Sequence, residues 1–218
     1  TNLKKSEIRA CPVALPPTKA EQTAIATALN DADTLIQQLE QLIAKKRNIR
    51  TGAMQELLKP KEGWEEKAFT EICDLMHGHQ FLSSDVVKDS DGIKVVKIGN
   101  VQDGVFNIDD CDKISKKRLQ LFSKYLLKDG DVLMSLTGNI GRVIVVSNTK
   151  ELLLQNYRVG KFIPKGVNNK FLAYCLAFPG TTKQLSLNSN QTSQANFGKQ
   201  DFDKIRIHIP TNKKTQED

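Results

Sequence analysis

From Ile25 to Ile49 the apolar residues of this chain recur at heptad spacing. Ile25, Ala32 and Leu39 take one seam position, and Ala28, Leu35, Leu42 and Ile49 take the other. Leu29, Ile36 and Ile43 widen the stripe beside them, and Lys46 interrupts the first seam. Three apolar positions per heptad over about four repeats predict one long helix packed on another helix. Its start is marked by Thr18 and Glu21, a T-x-x-E capping box, behind Pro16-Pro17, which stop any backward extension. Thr51-Gly52 predicts a kink, after which Ala53, Met54, Leu57 and Leu58 resume the pattern until Pro60 and Gly63 end it. A helix from Thr18 to Leu58 spans roughly 60 Å at 1.5 Å per residue. That exceeds the width of a small domain, so the stripe needs a partner helix.

Beyond Gly63 the periodicity changes. Short runs rich in Val and Ile alternate with turn residues. "GIKVVKIGNV", "GDVLMSL", "GRVIVVS", "YRVGKFIP" and "DKIRIHIP" predict strands. Asp91-Gly92, Asp103-Gly104, Asp129-Gly130, Gly138-Asn139 and Lys165-Gly166 predict the turns between them. Lys116 to Tyr125 and Lys170 to Ala177 predict short helices, and Asn188 to Gln194 an uncharged polar loop. The charges of Glu65-Glu66-Lys67 read as a solvated stretch beside Trp64. The fold class expected is α+β: a long coiled-coil-forming helix joined to a mixed α/β domain.

Composition narrows the function more than the fold. The chain has 218 residues, is 39% hydrophobic and 26% charged, and carries a net charge of +7. No apolar run reaches the roughly 18 residues that cross a bilayer. The start lacks both a secretory signal pattern and an initiator Met, so Thr1 reads as a cut or processed end. Cys11, Cys73, Cys111 and Cys175 form no C-x-x-C pair, which suits a reducing compartment and a cytoplasmic protein. Cys73, His77 and His79 lack the second ligand pair of a zinc site, so no metal is expected. "LTGNIGR", Leu136 to Arg142, is not a phosphate loop: the G-x-x-x-x-G-K-[ST] pattern is missing and a strand follows it. It reads as a tight turn that presents Asn139 and Arg142. There is no G-x-S-x-G, no H-E-x-x-H and no amino-methyltransferase tetrad, so a catalytic role is not expected.

What remains is the chemistry of recognition. The positive charge is compatible with a polyanion. His77, His79, Gln80, Lys97, Asn100, Gln102, Asn139, Arg142, Asn156, Arg158, Asn190 and Gln191 fall in or near turns. Arg and Lys reach guanine edges, and Asn and Gln reach adenine edges, in a major groove. This set is the expected DNA-reading surface. Aromatic content of 6% argues against a single-strand or RNA module.

The two ends of the chain repeat one another. At an offset of 194 residues, Asn196 falls on Asn2, Lys199 on Lys5, Pro210 on Pro16, Lys213 on Lys19 and Gln216 on Gln22. Phe202 with Ile8, Ile207 with Val13 and Ile209 with Leu15 are conservative pairs. The run "VALPPTKAEQTAIATAL" with a heptad helix ending "MQELL" resembles the conserved region of type I restriction–modification specificity subunits. "GDVLMSLTGNIGRVIVV", "LQNYRVGKFIP" and "SQANFGKQDFDKIRIHIP" resemble segments of that family's target recognition domain. The resemblance covers almost the whole chain.

It implies a non-catalytic subunit that reads one half of a bipartite double-stranded DNA target. Its helix pairs antiparallel with a second conserved helix and sets the distance between two recognition domains. Methyltransferase (M) subunits and a restriction (R) subunit bind alongside, and S-adenosylmethionine, ATP and Mg belong to them, with no cofactor in this chain. The implied divisions are 1–16, the end of a preceding recognition repeat; 17–60, the helix; 61–210, the recognition domain; and 211–218, a stub of the next conserved region. The family usually carries two recognition domains and two helices, and one of each is found here. The chain is therefore either a piece of a longer subunit or a half-subunit that forms a homodimer through its helix. The alternative function is a scaffold or adaptor without DNA, dimerised through the same helix.

Overall fold

The computed structural model describes residues 4–88, 91–102, 104–147, 149–188, 197 and 199–211. It divides into two compact units, Thr1–Ala53 and Met54–Asp218.

The first unit holds a short helix, α1 (Lys5–Arg9), and most of a long one, α2 (Lys19–Leu57). The start of α2 is capped as its sequence demands. The Thr18 hydroxyl accepts from the Glu21 amide at 3.2 Å, and the Gln22 side chain donates to the Pro16 carbonyl at 2.9 Å. The helix runs on through Gly52. A lone glycine costs about 1 kcal/mol against alanine but keeps its N–H, so it does not end a helix. The apolar stripe is open to solvent: its eight large side chains, Ile25 to Ile49, are 45–63% exposed.

The second unit begins with β1 (Trp64–Ala68), α3 (Phe69–Ile72), β2 (Cys73–His77), β3 (Val86–Val87), β4 (Ile93–Val96), β5 (Val101–Gln102), β6 (Val105–Phe106) and β7 (Asp112–Ile114). It continues with α4 (Leu119–Phe122), β8 (Val132–Ser135), β9 (Val143–Val145), β10 (Leu153–Gln155), β11 (Val159–Pro164), α5 (Asn169–Ala177), α6 (Pro179–Asn188), α7 (Lys199–Phe202) and β12 (Arg206–Pro210). Two four-stranded sheets form its frame. One is antiparallel in the order β2-β11-β8-β9; the other runs β10-β4-β7-β3, with β10 parallel to β4. β12 pairs antiparallel with β1, and β5 with β6.

Three apolar layers hold these elements. On one face of the first sheet, Val132, Met134 and Phe162 pack against Phe69, Phe171, Leu172, Leu185 and Phe202 from helices α3, α5, α6 and α7. On its other face, Leu133, Ile144 and Val159 meet Val96 and Leu153 of the second sheet. Beyond that sheet, Ile93, Val95, Ile114 and Leu154 pack on Phe122. β8 is thus buried on both faces, which is why its sequence is continuously apolar instead of alternating.

Three sequence expectations change. Residues 116–125 form a 3-10 turn, a four-residue α4 and a second 3-10 turn, not one helix. Ser115 makes no capping bond there, so nothing anchors a longer one. Glu65 and Glu66 are solvated as expected, but with Lys67 they form the middle of a strand that was not foreseen, β1, paired with Ile209, His208 and Ile207. α6 was not anticipated, because its "PGTTKQLSLN" starts on Pro-Gly and carries little apolar periodicity.

Candidate functional site

The two sheets meet where β10 runs into β11, and that crossing organises the loops around it. Gln155 ends β10 fully buried. Its amide donates to the carbonyls of Met76 at 2.9 Å and Val159 at 2.7 Å, so one side chain ties β2 and the start of β11 together. Its Oε1 is buried without a partner among the described residues. The backbone locks the same point. The His79 amide donates to the Gln155 carbonyl at 3.0 Å, the Tyr157 amide to the His79 carbonyl at 2.9 Å, and the Asn156 amide to the Val96 carbonyl at 3.1 Å. Gly78 fits because it has no side chain: a Cβ there would lie 2.4 Å from the carbonyl oxygens of Gln155 and Asn156.

These bonds collect four loops. His77 ends β2, and His79 and Gln80 follow it; Asn156 and Arg158 lie between β10 and β11; Lys97, Asn100 and Gln102 follow β4. The glycine turn joins them, since the Leu136 amide donates to the Arg158 carbonyl at 2.9 Å. A Cβ placed on Gly138 would lie 3.9 Å from the Ile98 side chain, so the turn runs close to that loop. Within that turn Gly138 and Gly141 adopt positive φ angles of 68° and 90°, where other residues are strained. Ser135 braces it: its hydroxyl donates to the Asn139 carbonyl and accepts from the Arg142 amide. Phe197, which follows the polar loop in sequence, donates its amide to the Leu136 carbonyl at 3.0 Å. Asn190 and Gln191 lie outside the described residues.

The ten described candidates therefore gather around one crossing, but they divide by role. His77, Gln80, Lys97, Gln102 and Asn139 are exposed, and Arg142 and Arg158 are half-buried. The Arg158 guanidinium is held by the Tyr157 hydroxyl at 2.7 Å and lies over that ring. Among the described residues neither arginine forms an ion pair, whereas Lys97 is paired with Asp112. Asn100 and Asn156 are buried, and their side-chain oxygens accept from the Lys97 and Arg158 amides. They brace loops. His79 sits in an aromatic cluster, with ring centres 4.9 Å from Phe81, 4.9 Å from Phe122 and 5.4 Å from Tyr125.

Beside that cluster, Arg118 bonds Asp85 and lies over the Phe122 ring. The Arg118 bond, with the Leu82 amide, holds the Asp85 carboxyl below the ordinary carboxylate range. Tyr157 and Ile98 join the site although sequence reasoning passed over them. For Tyr157 the signal was available: an aromatic between Asn156 and Arg158 in a turn.

Cysteine chemistry lies elsewhere. Cys73 is fully buried, donates to the Phe69 carbonyl at 3.5 Å, and burial pushes its thiol far up. It is a core residue beside α3. Burial likewise pushes the Cys175 thiol up to about 12. The site offers hydrogen-bond donors and acceptors on braced loops, which is the equipment of recognition.

Comparison with known proteins agrees. Residues 61–218 match the family described as type I restriction modification DNA specificity domain. The chain is 26% identical over 196 residues to the type I restriction enzyme MjaVIII specificity subunit of Methanocaldococcus jannaschii, covering 80% of this chain and 45% of that protein. It is 30% identical over 121 residues to the EcoAI specificity subunit of Escherichia coli, covering 53% of this chain and 20% of the other. The chain spans less than half the length of these relatives. Among solved structures, the HsdS subunit from Thermoanaerobacter tengcongensis shares the fold at TM-score 0.56 and 18% identity, over 93% of this chain and 49% of that one. The S subunit from M. genitalium does so at TM-score 0.51 and 14% identity, over 74% of this chain and 38% of that one. With a matching family model over most of its length and this architecture, the chain belongs to the type I restriction–modification DNA specificity family.

Proposed function

We propose that this chain reads the base sequence of one half of a bipartite duplex DNA target, as the specificity part of a type I restriction–modification enzyme. The observation that carries this reading is the gathering of four polar loops around the Gln155 crossing, in a domain of that family. Arg142 and Arg158 suit guanine edges, and Gln80, Gln102 and Asn139 suit adenine edges. His77, Lys97, Asn190 and Gln191 complete the reading surface, while Asn100, Asn156 and His79 hold its loops in place.

The chain itself is non-catalytic. Methyl transfer and cleavage belong to modification and restriction subunits that bring S-adenosylmethionine, ATP and Mg. Residues 17–60 pair with a second helix and set the distance between two half-sites. Residues 1–16 are the end of a preceding recognition repeat, residues 61–210 the recognition domain, and residues 211–218 the start of the next conserved region. The cytoplasm is the compartment. None of the described helices is long and apolar enough to cross a membrane.

The test is a selection from randomised duplexes at ~150 mM salt, with modification subunits present. One enriched half-site is expected, with affinity falling steeply as salt rises. Arg158→Ala should relax the selection at one base position. Binding without any enriched sequence would overturn the reading.

A further inference from the structure

Between Asp112 and Asp129 the chain carries six basic side chains, Lys113, Lys116, Lys117, Arg118, Lys124 and Lys128, and no acidic one. Most of them lie on residues 116–125, the turn, α4 and turn that cover the second sheet on the side away from the first. The two flanking carboxylates are engaged elsewhere. Asp112 is paired with Lys97, and Asp129 accepts from the Thr149 amide at 3.3 Å. Inside the segment, Lys116 is paired with Asp91 and Arg118 with Asp85. Lys117 and Lys124 are exposed and form no ion pair among the described residues.

Aromatic contacts fasten this segment to the candidate site. The Lys124 ammonium lies over the Tyr125 ring, 4.8 Å from its centre, and the Arg118 guanidinium lies over Phe122 at 5.1 Å. Both rings pack on His79, in the loop after β2 that also carries Gln80. We propose that Lys117 and Lys124 bind backbone phosphates of duplex DNA, and so hold the loop after β2 in register on the duplex. This rests on the reading of the domain as a DNA-recognition domain, and adds to it the part of the surface that positions the DNA without reading it.

The chemistry selects these two lysines. Lys116 and Arg118 already face carboxylates, so engaging them with phosphate would leave Asp91 and Asp85 unpaired. Lys117 and Lys124 carry charge that no acidic side chain answers. An ammonium on a flexible stem is a point charge, suited to a phosphate oxygen and lacking the planar fork that reads a base edge in two bonds. Contacts to phosphate fix the orientation of a protein on the duplex and carry no sequence information. His79 then has a mechanical part: wedged between Phe81, Phe122 and Tyr125, its ring passes the position set at the phosphates to Gln80.

The test measures duplex binding by the full chain, with modification subunits present, across a range of salt concentrations. Each phosphate contact contributes about 0.9 to the slope of log K against log salt, so the Lys117→Gln, Lys124→Gln double variant should be shallower by about 1.8. At ~150 mM salt it should bind about tenfold more weakly or worse, on every duplex alike. Lys117→Arg with Lys124→Arg should keep the wild-type slope, which damage to the fold would not allow. Lys170→Gln with Lys183→Gln removes the same charge from exposed positions on α5 and α6, which pack on the far face of the first sheet, and should leave the slope unchanged. An unchanged slope in the 117/124 glutamine variant, an equal fall in the 170/183 variant, or a new enriched half-site in the 117/124 variant overturns the proposal. The two readings fail separately. A wild-type half-site with a slope indifferent to Lys117 and Lys124 loses only the phosphate contacts. Binding without an enriched half-site, but with the expected change of slope, loses only the sequence reading.

Discussion

The chain contains two versions of one segment in opposite surroundings. Near its C-terminus, Phe202, Ile207 and Ile209 are 1%, 7% and 5% exposed. At the matching positions near the start, Ile8, Val13 and Leu15 are 61%, 72% and 73% exposed. The helical turn appears in both, as α7 at Lys199–Phe202 and as α1 at Lys5–Arg9. The strand appears in one only: Arg206–Pro210 forms β12 on β1, while residues 11–16 have no regular structure. The difference teaches that the turn is local and the strand is not. A five-residue strand depends on a neighbour for its hydrogen bonds and its buried face. Arg206 is also fastened from outside its ladder, because the Gln184 side chain both donates to its carbonyl and accepts from its amide. Its counterpart Pro12 has no amide hydrogen to offer.

The comparison can be tested by changing the two copies in parallel. The largest effect is expected for Phe202→Ala, which removes a side chain packed on Phe69, Phe162 and Phe197. Urea unfolding should show a loss of about 3–5 kcal/mol. Thiol reactivity comes next. Cys11 is exposed and its counterpart Ile205 is fully buried, while burial holds the Cys175 thiol up near 12. Iodoacetamide at neutral pH should alkylate Cys11 about 100-fold faster than Cys175 or more. A Cys11 as slow as Cys175 would mean that the first copy is covered in solution, and the comparison would break.

Gln184→Ala should cost about 1 kcal/mol by freeing both backbone groups of Arg206, read in the same unfolding experiment. The smallest effect is expected for Ile8→Ala, within about 0.5 kcal/mol because the site is exposed. A large loss there would show that α1 has found a partner. Acid gives a control outside both copies. Asp85 titrates below its unfolded value, so the stability it contributes is present above the unfolded carboxylate pKa and is lost as pH falls through the lowered one. Arg118→Ala should remove that part of the acid dependence in an unfolding titration.

What could be read from the sequence follows the same division between local and distant causes. The helix was legible because its caps and heptads are local. β8, β9 and β11 were legible because apolar runs flank glycine turns. β1 was not, since "WEEKA" becomes a strand only through β12, more than a hundred residues away. The candidate residues were legible as positions in or near turns. Their roles were not: whether Asn100 faces solvent or holds the Lys97 amide depends on how the loop closes. The sequence placed His79 in a loop, and the arrival of Phe81, Phe122 and Tyr125 around its ring was not legible there.

Gln155 carries a consequence beyond its two bonds. One amide, fixed to Met76 and Val159, gives both sheets a common origin, and Gly78 leaves no slack at that point. The loops leave from it like type set in a fixed frame. Side chains at Gln80, Gln102, Asn139 or Arg158 can be exchanged without moving the frame, so under the proposed reading a new specificity needs few substitutions. Changing Gln155 would instead loosen all of these loops at once.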